Sequence, residues 1–168
     1  MKMTWKDIQM QNRGKQFEQK VKQAFLKVPE VSIDRLHDQT NGYLGGSNIC
    51  DFIVYKKPYE YYIECKSVHG NTLPFSNITD TQWNGLLEKS ALEGVTAGIL
   101  CWWIDHDVTY FIPIEILQDA KTVCNAKSLN VLHPHIHSEW IYISGKKKRV
   151  FFDYDFSDFF DRAGGYKF

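Results

Sequence analysis

The stretch DFIVYKKPYEYYIECK, residues 51–66, consists of two apolar, aromatic-rich runs on either side of Lys57 and Pro58. Aromatic and β-branched residues suit strands, and proline suits the turn between them. The segment therefore reads as a hairpin over about 49–55 and 60–66. An even-numbered loop centred between Lys57 and Pro58 makes paired residue numbers sum to 115, which sets Asp51 opposite Glu64. Opposed residues share a face, with Cβ atoms roughly 4.5–5.5 Å apart. Lys66, two residues past Glu64, emerges on that same face, and Cys65 points the other way, opposite Cys50. Charged groups are costly at the end of a strand pair built for a core, so three of them together call for a reason.

Two carboxylates face to face repel each other in a partly buried setting. A shared proton, a nearby cation or a metal ion must compensate. Mg2+ favours oxygen ligands from one or two carboxylates, completed by water and phosphate oxygens. The Lys66 ammonium on the same face can orient an attacking water or face the charge of a pentavalent phosphorane. Asp at one strand end with Glu-x-Lys on the next thus suits metal-assisted phosphodiester hydrolysis. A solvated, charged strand end is the competing reading.

Upstream, Asn12 to Val28 carries Phe17, Val21, Ala24, Phe25 and Val28 at spacings of three and four, and reads as a helix ended by Pro29. Residues 32–37 (SIDRLH) read as a short strand, and 38–48 (DQTNGYLGGSN) as a turn-rich loop. Downstream, HGNTLPFSN (69–77) is a polar loop. A helix follows from Asp80 to Glu93, with Thr79 as its cap and Gly94 just past its end. VTAGILCWW (95–103) and VTYFIPI (108–114) are strands joined at IDHD, with the Trp102–Trp103 pair set one ring on each face. A short helix over Ile114–Lys121, a strand at Val150–Asp153 and an amphipathic helix at Phe156–Phe160 complete the reading, and 122–149 is irregular. This order implies an α/β class, a central mixed sheet flanked by helices. No repeat or linker divides it, so residues 1–168 are expected to form a single domain.

Composition sets bounds. Twenty basic and 20 acidic residues give zero net charge, which argues against a generally basic nucleic-acid binder but not against an enzyme with one positive face. No apolar run approaches the roughly 18 residues that cross a bilayer, and the polar N-terminus lacks a signal-peptide core, so a cytosolic (cytoplasmic) protein without a membrane partner is expected. The four cysteines, Cys50, Cys65, Cys101 and Cys124, lie far apart and suggest neither a zinc knuckle nor a disulfide framework.

Three further segments gather around the hairpin. NRGKQFE (12–18) puts Glu18 on the first helix, GNTLPFSNI (70–78) follows the hairpin, and TQW (81–83) sets Gln82 in the next helix. With Asp51, Glu64 and Lys66 they resemble the PD-(D/E)xK nuclease superfamily, and within it the RecU-like Holliday junction resolvases, over about Asn12 to Pro113. The resemblance implies a restriction-endonuclease-like core and a Mg2+-dependent endonuclease, with Mn2+ as a substitute. It also implies a homodimer that resolves four-way DNA junctions in recombination and repair. It makes Asp51, Glu64 and the main-chain carbonyl of Cys65 metal ligands, and Lys66 the water-orienting or charge-stabilising group. Glu18 becomes an auxiliary acid, and Gln82 a contact to substrate or to the metal shell. Family members carry a long stalk between the first helix and the Asp-bearing strand, whereas here only 32 residues separate Glu18 from Asp51. That departure favours an alternative, a restriction- or repair-type nuclease on linear or damaged duplex. A non-catalytic DNA-binding protein on this scaffold is a further alternative, against which the intact Asp51, Glu64 and Lys66 speak.

Within a nuclease, Arg13, Lys15 and Arg35 are expected phosphate contacts, as are Lys146, Lys147, Lys148 and Arg149 of GKKKR. Taken alone, that run reads equally well as a solvated turn. Tyr43 between glycines, Thr72 and His69, three residues after Lys66, are further DNA-contact candidates, although an exposed loop histidine is the simpler account of His69. HPHIHSEW sets His133, His135 and His137 at alternate positions, where a polar loop is favoured over a transition-metal site. Asp105, His106 and Asp107 of IDHD are read as a turn rather than a second metal cluster.

Overall fold

The computed structural model describes residues 5–36, 48–133 and 139–164, with the side chains of the first helix described from Asn12 onward. Helix α1 runs from Trp5 to Phe25, earlier than its apolar stripe suggests, and hydrogen-bonded turns carry the chain on to Val28 before Pro29. Strand β1 (Ser32–Arg35) precedes the hairpin of β2 (Phe52–Lys56) and β3 (Tyr59–Val68). The expected hairpin register holds, with Phe52 paired to Ile63 and Lys56 to Tyr59 around a cis Lys57–Pro58 peptide.

After β4 (Thr72–Pro74), helix α2 spans Asp80–Ser90. Its start is fixed by a capping box in which Thr79 accepts from the Gln82 N–H and the Gln82 side chain accepts from the Thr79 N–H. Gly94, at φ 75°, turns the chain into β5 (Val95–Trp103). Strand β6 (Val108–Pro113), helix α3 (Ile114–Thr122), β7 (Ser128–Asn130), β8 (Ile141–Tyr142), β9 (Ser144–Lys147), β10 (Phe152–Asp155) and α4 (Phe159–Ala163) follow. The segment read as irregular therefore contributes three short strands. Lys146 and Lys147 lie on β9 rather than in a turn, and the terminal strand and helix each begin two to three residues later than their apolar runs suggest.

The main sheet has the order β1-β2-β3-β5-β6-β8, with β3 parallel to β5 and every other pairing antiparallel. Two small sheets, β9–β10 and β4–β7, sit beside it. Strand β5 is buried along eight of its nine residues, which fits its central place and a sequence that is apolar but for Thr96, whose hydroxyl donates to the Ala163 carbonyl (2.8 Å). Each face of the sheet has its own core. Phe17, Val21 and Phe25 of α1 pack with Phe52, Ile63, Trp102 and the aromatic C-terminal segment, where Phe25 stacks on Phe156 at 3.9 Å. Trp83 and Leu86 of α2 and Leu117 of α3 pack on the other face with Ile99, Trp103 and Trp140. The adjacent Trp102 and Trp103 thus go one to each face, as alternation requires. The expected Cys50–Cys65 opposition does not hold, because Cys65 joins the α1-side core and Cys50 the α2-side core. The ladder ends at Phe52, so the alternation need not extend to Cys50.

Candidate active site

The hairpin's open end leads into the parallel β3–β5 pair, where Glu64 is opposed by Ile99 and Lys66 by Cys101. Glu64 is only 4% exposed although it is a carboxylate in a largely apolar layer. Asp51 leaves the ladder just before Phe52. Its N–H donates to the Ile63 carbonyl (3.1 Å), and its Oδ2 accepts from the Cys65 N–H (2.8 Å). The main chain of β3 therefore holds the Asp51 carboxylate beside Glu64, which replaces the simple opposed pair expected from the sequence.

Glu64 Oε1 is the hub of the site. Lys66 Nζ lies 2.8 Å from it, and Gln82 Nε2 donates to it at 2.6 Å. Lys66 Nζ also donates to Gln82 Oε1 at 3.2 Å, so the three side chains close a ring. The capping box fixes Gln82 in that ring, since its Oε1 also takes the Thr79 N–H at 3.1 Å. Sequence reasoning found Thr79 as a cap and Gln82 as a site residue, but not that one hydrogen-bond network joins the two roles. Glu64 Oε2, in contrast, is buried and meets no hydrogen-bond partner among the described residues.

Burial, followed by the charge of Asp51, pushes the Glu64 carboxyl up to about 8, against the opposing pull of Lys66. Burial likewise raises Asp51, although the Cys65 N–H and Lys66 pull it back. Glu18 on α1 is raised by burial and then by Asp51, and its ion pair with Arg35 opposes this. Arg35, expected to meet phosphate, is thus engaged with Glu18. Lys15 lies close enough to Glu18 to lower its pKa.

The donor set fits a hard divalent cation. Asp51 and Glu64 supply carboxylate oxygens, one of them an orphaned buried acceptor, and Cys65 brings its main chain to the same place. Among the described residues no group of three or more His, Cys, Asp or Glu side chains is placed to hold a metal ion, so a cation here would have two carboxylates at most and would draw its other ligands from main chain, water or phosphate. The Cys65 thiol itself is buried and held well above its ordinary pKa.

Past the end of β3, the Arg13 guanidinium contacts His69 Nε2 (3.1 Å), and His69 Nδ1 faces Asp105 Oδ1 (2.8 Å). Asp105 Oδ2 accepts the Gly70 N–H (2.6 Å), which together with His69 holds its carboxyl below the usual range. IDHD is a turn, as read, with Asp107 in the left-handed region at φ 52°. Its Asp105 is a His69 partner that the sequence reading missed. Lys147 pairs with Asp107, which ties the β9–β10 hairpin to this same end of the sheet, while Lys146, Lys148 and Arg149 are exposed nearby in the chain. Thr72 is half-buried on β4, opposite Asn130. Tyr43, His135 and His137 lie outside the described residues, and His133 is exposed. No helix among the described residues is long and apolar enough to cross a membrane.

No protein-family model and no curated protein matches the chain. Among solved structures it is similar to Hjc of Archaeoglobus fulgidus, a Holliday junction resolvase from an archaeal hyperthermophile. The identity is 14% and the TM-score 0.54, with 77% of this chain and 95% of Hjc covered. At that identity the likeness concerns architecture, and the chain has the mixed-sheet, helix-flanked nuclease-like fold of this resolvase.

Proposed function

We propose that this protein is a Mg2+-dependent endodeoxyribonuclease, with Mn2+ as a substitute, that cuts branched DNA of the Holliday-junction type. The observation that carries this reading is the ring that buried Glu64 makes with half-buried Lys66 and Gln82 beside Asp51, with Glu64 Oε2 unpartnered among the described residues. The resolvase fold of the similar structure supports the substrate class. Asp51, Glu64 and the Cys65 carbonyl would hold the cation, whose charge would offset the negative charge that builds on the phosphate as its bond breaks. Lys66, with two of its three N–H bonds engaged by Glu64 and Gln82, presents the third to the water that attacks phosphorus or to a phosphate oxygen. Gln82 keeps Lys66 and Glu64 in register, and Glu18, close enough to Asp51 to be raised by its charge, is paired with Arg35. A single domain acting as a homodimer, in the manner of the RecU-like resolvases and within the cytoplasm, belongs to the same proposal, since two strands of a four-way junction must be cut symmetrically.

Cleavage of an end-labelled immobile four-way junction beside its linear duplex arms tests the substrate. Paired symmetric nicks on the junction alone are expected. Equal cutting of the linear arms would keep the nuclease and replace the junction with duplex as its substrate.

A further inference from the structure

The parallel pairing of β3 with β5 brings two carboxyl ends of strands out of the sheet side by side, the place where open α/β sheets take their ligands. The last paired residues are Val68 and Trp103, and His69, Gly70 and Asp105 follow within two positions. Asp105 is fixed at both oxygens, by the Gly70 N–H at 2.6 Å and by His69 Nδ1 at 2.8 Å. A guanidinium has N–H donors and no acceptor, so His69 Nε2 must accept from Arg13 (3.1 Å), and the ring proton lies on Nδ1, toward Asp105. One chain of contacts therefore runs from the β5–β6 turn through the end of β3 to α1. His69 and Asp105 are 41% and 50% exposed, so the pair adds little to stability.

The same arrangement leaves Arg13 open. A carboxylate in direct contact would take the guanidinium fork two bonds at a time and offset its charge. Here a neutral imidazole stands between the two, it engages one of five N–H groups, and Arg13 makes no ion pair among the described residues. We infer that Asp105 and His69 are positioning residues that aim Arg13 at a backbone phosphate of the bound DNA, flanking the one that is cut. The inference rests on the nuclease reading and deepens it. His69 follows Lys66 by three residues, which at about 3.3 Å per residue spans about 10 Å, the rise of about three nucleotides. The free donors of Arg13 match two phosphate oxygens in a planar fork. Lys147, tied to Asp107 of the same turn, brings a further cation to this end of the sheet. An acid placed only for its charge would repel the phosphate, whereas Asp105 favours it by holding His69 against Arg13.

Equilibrium binding of an end-labelled four-way junction without metal, across a salt series, tests the inference. The variants are Arg13→Ala, His69→Ala, Asp105→Ala and the double variant Arg13→Ala/His69→Ala, with folding checked by thermal melting. Arg13→Ala is expected to lose about tenfold in affinity and about 0.9 in salt slope, for one lost phosphate contact. Asp105→Ala should weaken binding about threefold although it removes a negative charge, and His69→Ala should weaken it as much. His69→Ala should cost nothing further in the Arg13→Ala background, since its effect passes through Arg13. Unchanged affinity and slope in Arg13→Ala, tighter binding by Asp105→Ala, or additive losses in the double variant would overturn the inference. The two readings fail separately. The expected pattern of binding in a protein that never cuts DNA would remove the nuclease and leave the phosphate contact. Normal Mg2+-dependent cutting with any of the three contrary results would do the reverse.

Discussion

Glu64 concentrates the chemistry of this protein in one side chain. Its carboxyl is raised to about 8 because it is buried beside Asp51, so the folded state binds a proton that the unfolded chain releases near pH 4.5. A raised carboxylate contributes stability that is full below pH 4.5 and is lost as pH climbs through 8. Asp51, also raised, acts in the same direction. The metal-free protein should therefore lose on the order of a few kcal/mol from this pair between about pH 5 and pH 8, and Mg2+ should restore it. Glu64→Gln should flatten the profile and remove the Mg2+ response. Melting temperatures at the two pH values, with and without Mg2+, check this, and a wild-type slope identical to that of the variant would contradict it. Asp51 was legible as a site residue from its place at the strand end. Its turn out of the ladder was not, because a main-chain bond from Cys65, 14 residues away, decides it.

At the scale of elements, α2 links stability to the site. Thr79→Ala removes the side chain that caps the helix and so should cost about 1 kcal/mol. It should also lower any cleavage rate more than that loss explains, since Gln82 is then held less firmly against Lys66. Cleavage measured well below the melting temperature separates the two effects. In β5, a Cβ on Gly98 would clash with the Ile112 carbonyl oxygen and lie 2.8 Å from the Phe111 ring. Gly98→Ala should therefore destabilise by about 1–3 kcal/mol in chemical denaturation. The hairpin, β5, β6 and α2 were readable because each carries its own periodicity, turn or cap. Strands β7 and β8 were not. They have three residues and two, and they exist through pairing with distant partners, Leu129 with Leu73 and Ile141 with Phe111. Pattern within a short window holds no trace of such partners.

Across the whole molecule, zero net charge conceals local order. Arg13, His69 and Lys147 gather around the end of the β3–β5 pair, each engaged with a neighbouring side chain. DNA binding should accordingly weaken steeply with salt, and Lys147→Ala/Lys148→Ala should shallow that dependence by roughly 1–2 units of slope without changing sequence preference. Sedimentation of a junction complex should give two chains per junction. The measurement that bears most directly on the central claim is cleavage of an end-labelled immobile four-way junction in Mg2+, in EDTA, and by Glu64→Gln and Lys66→Ala at matched protein concentrations. Cutting by the wild type in Mg2+, abolished by EDTA and reduced at least about 100-fold in both variants, is the predicted result. Undiminished cutting in EDTA or by either variant would show that the ring at Glu64 is not the site of cleavage.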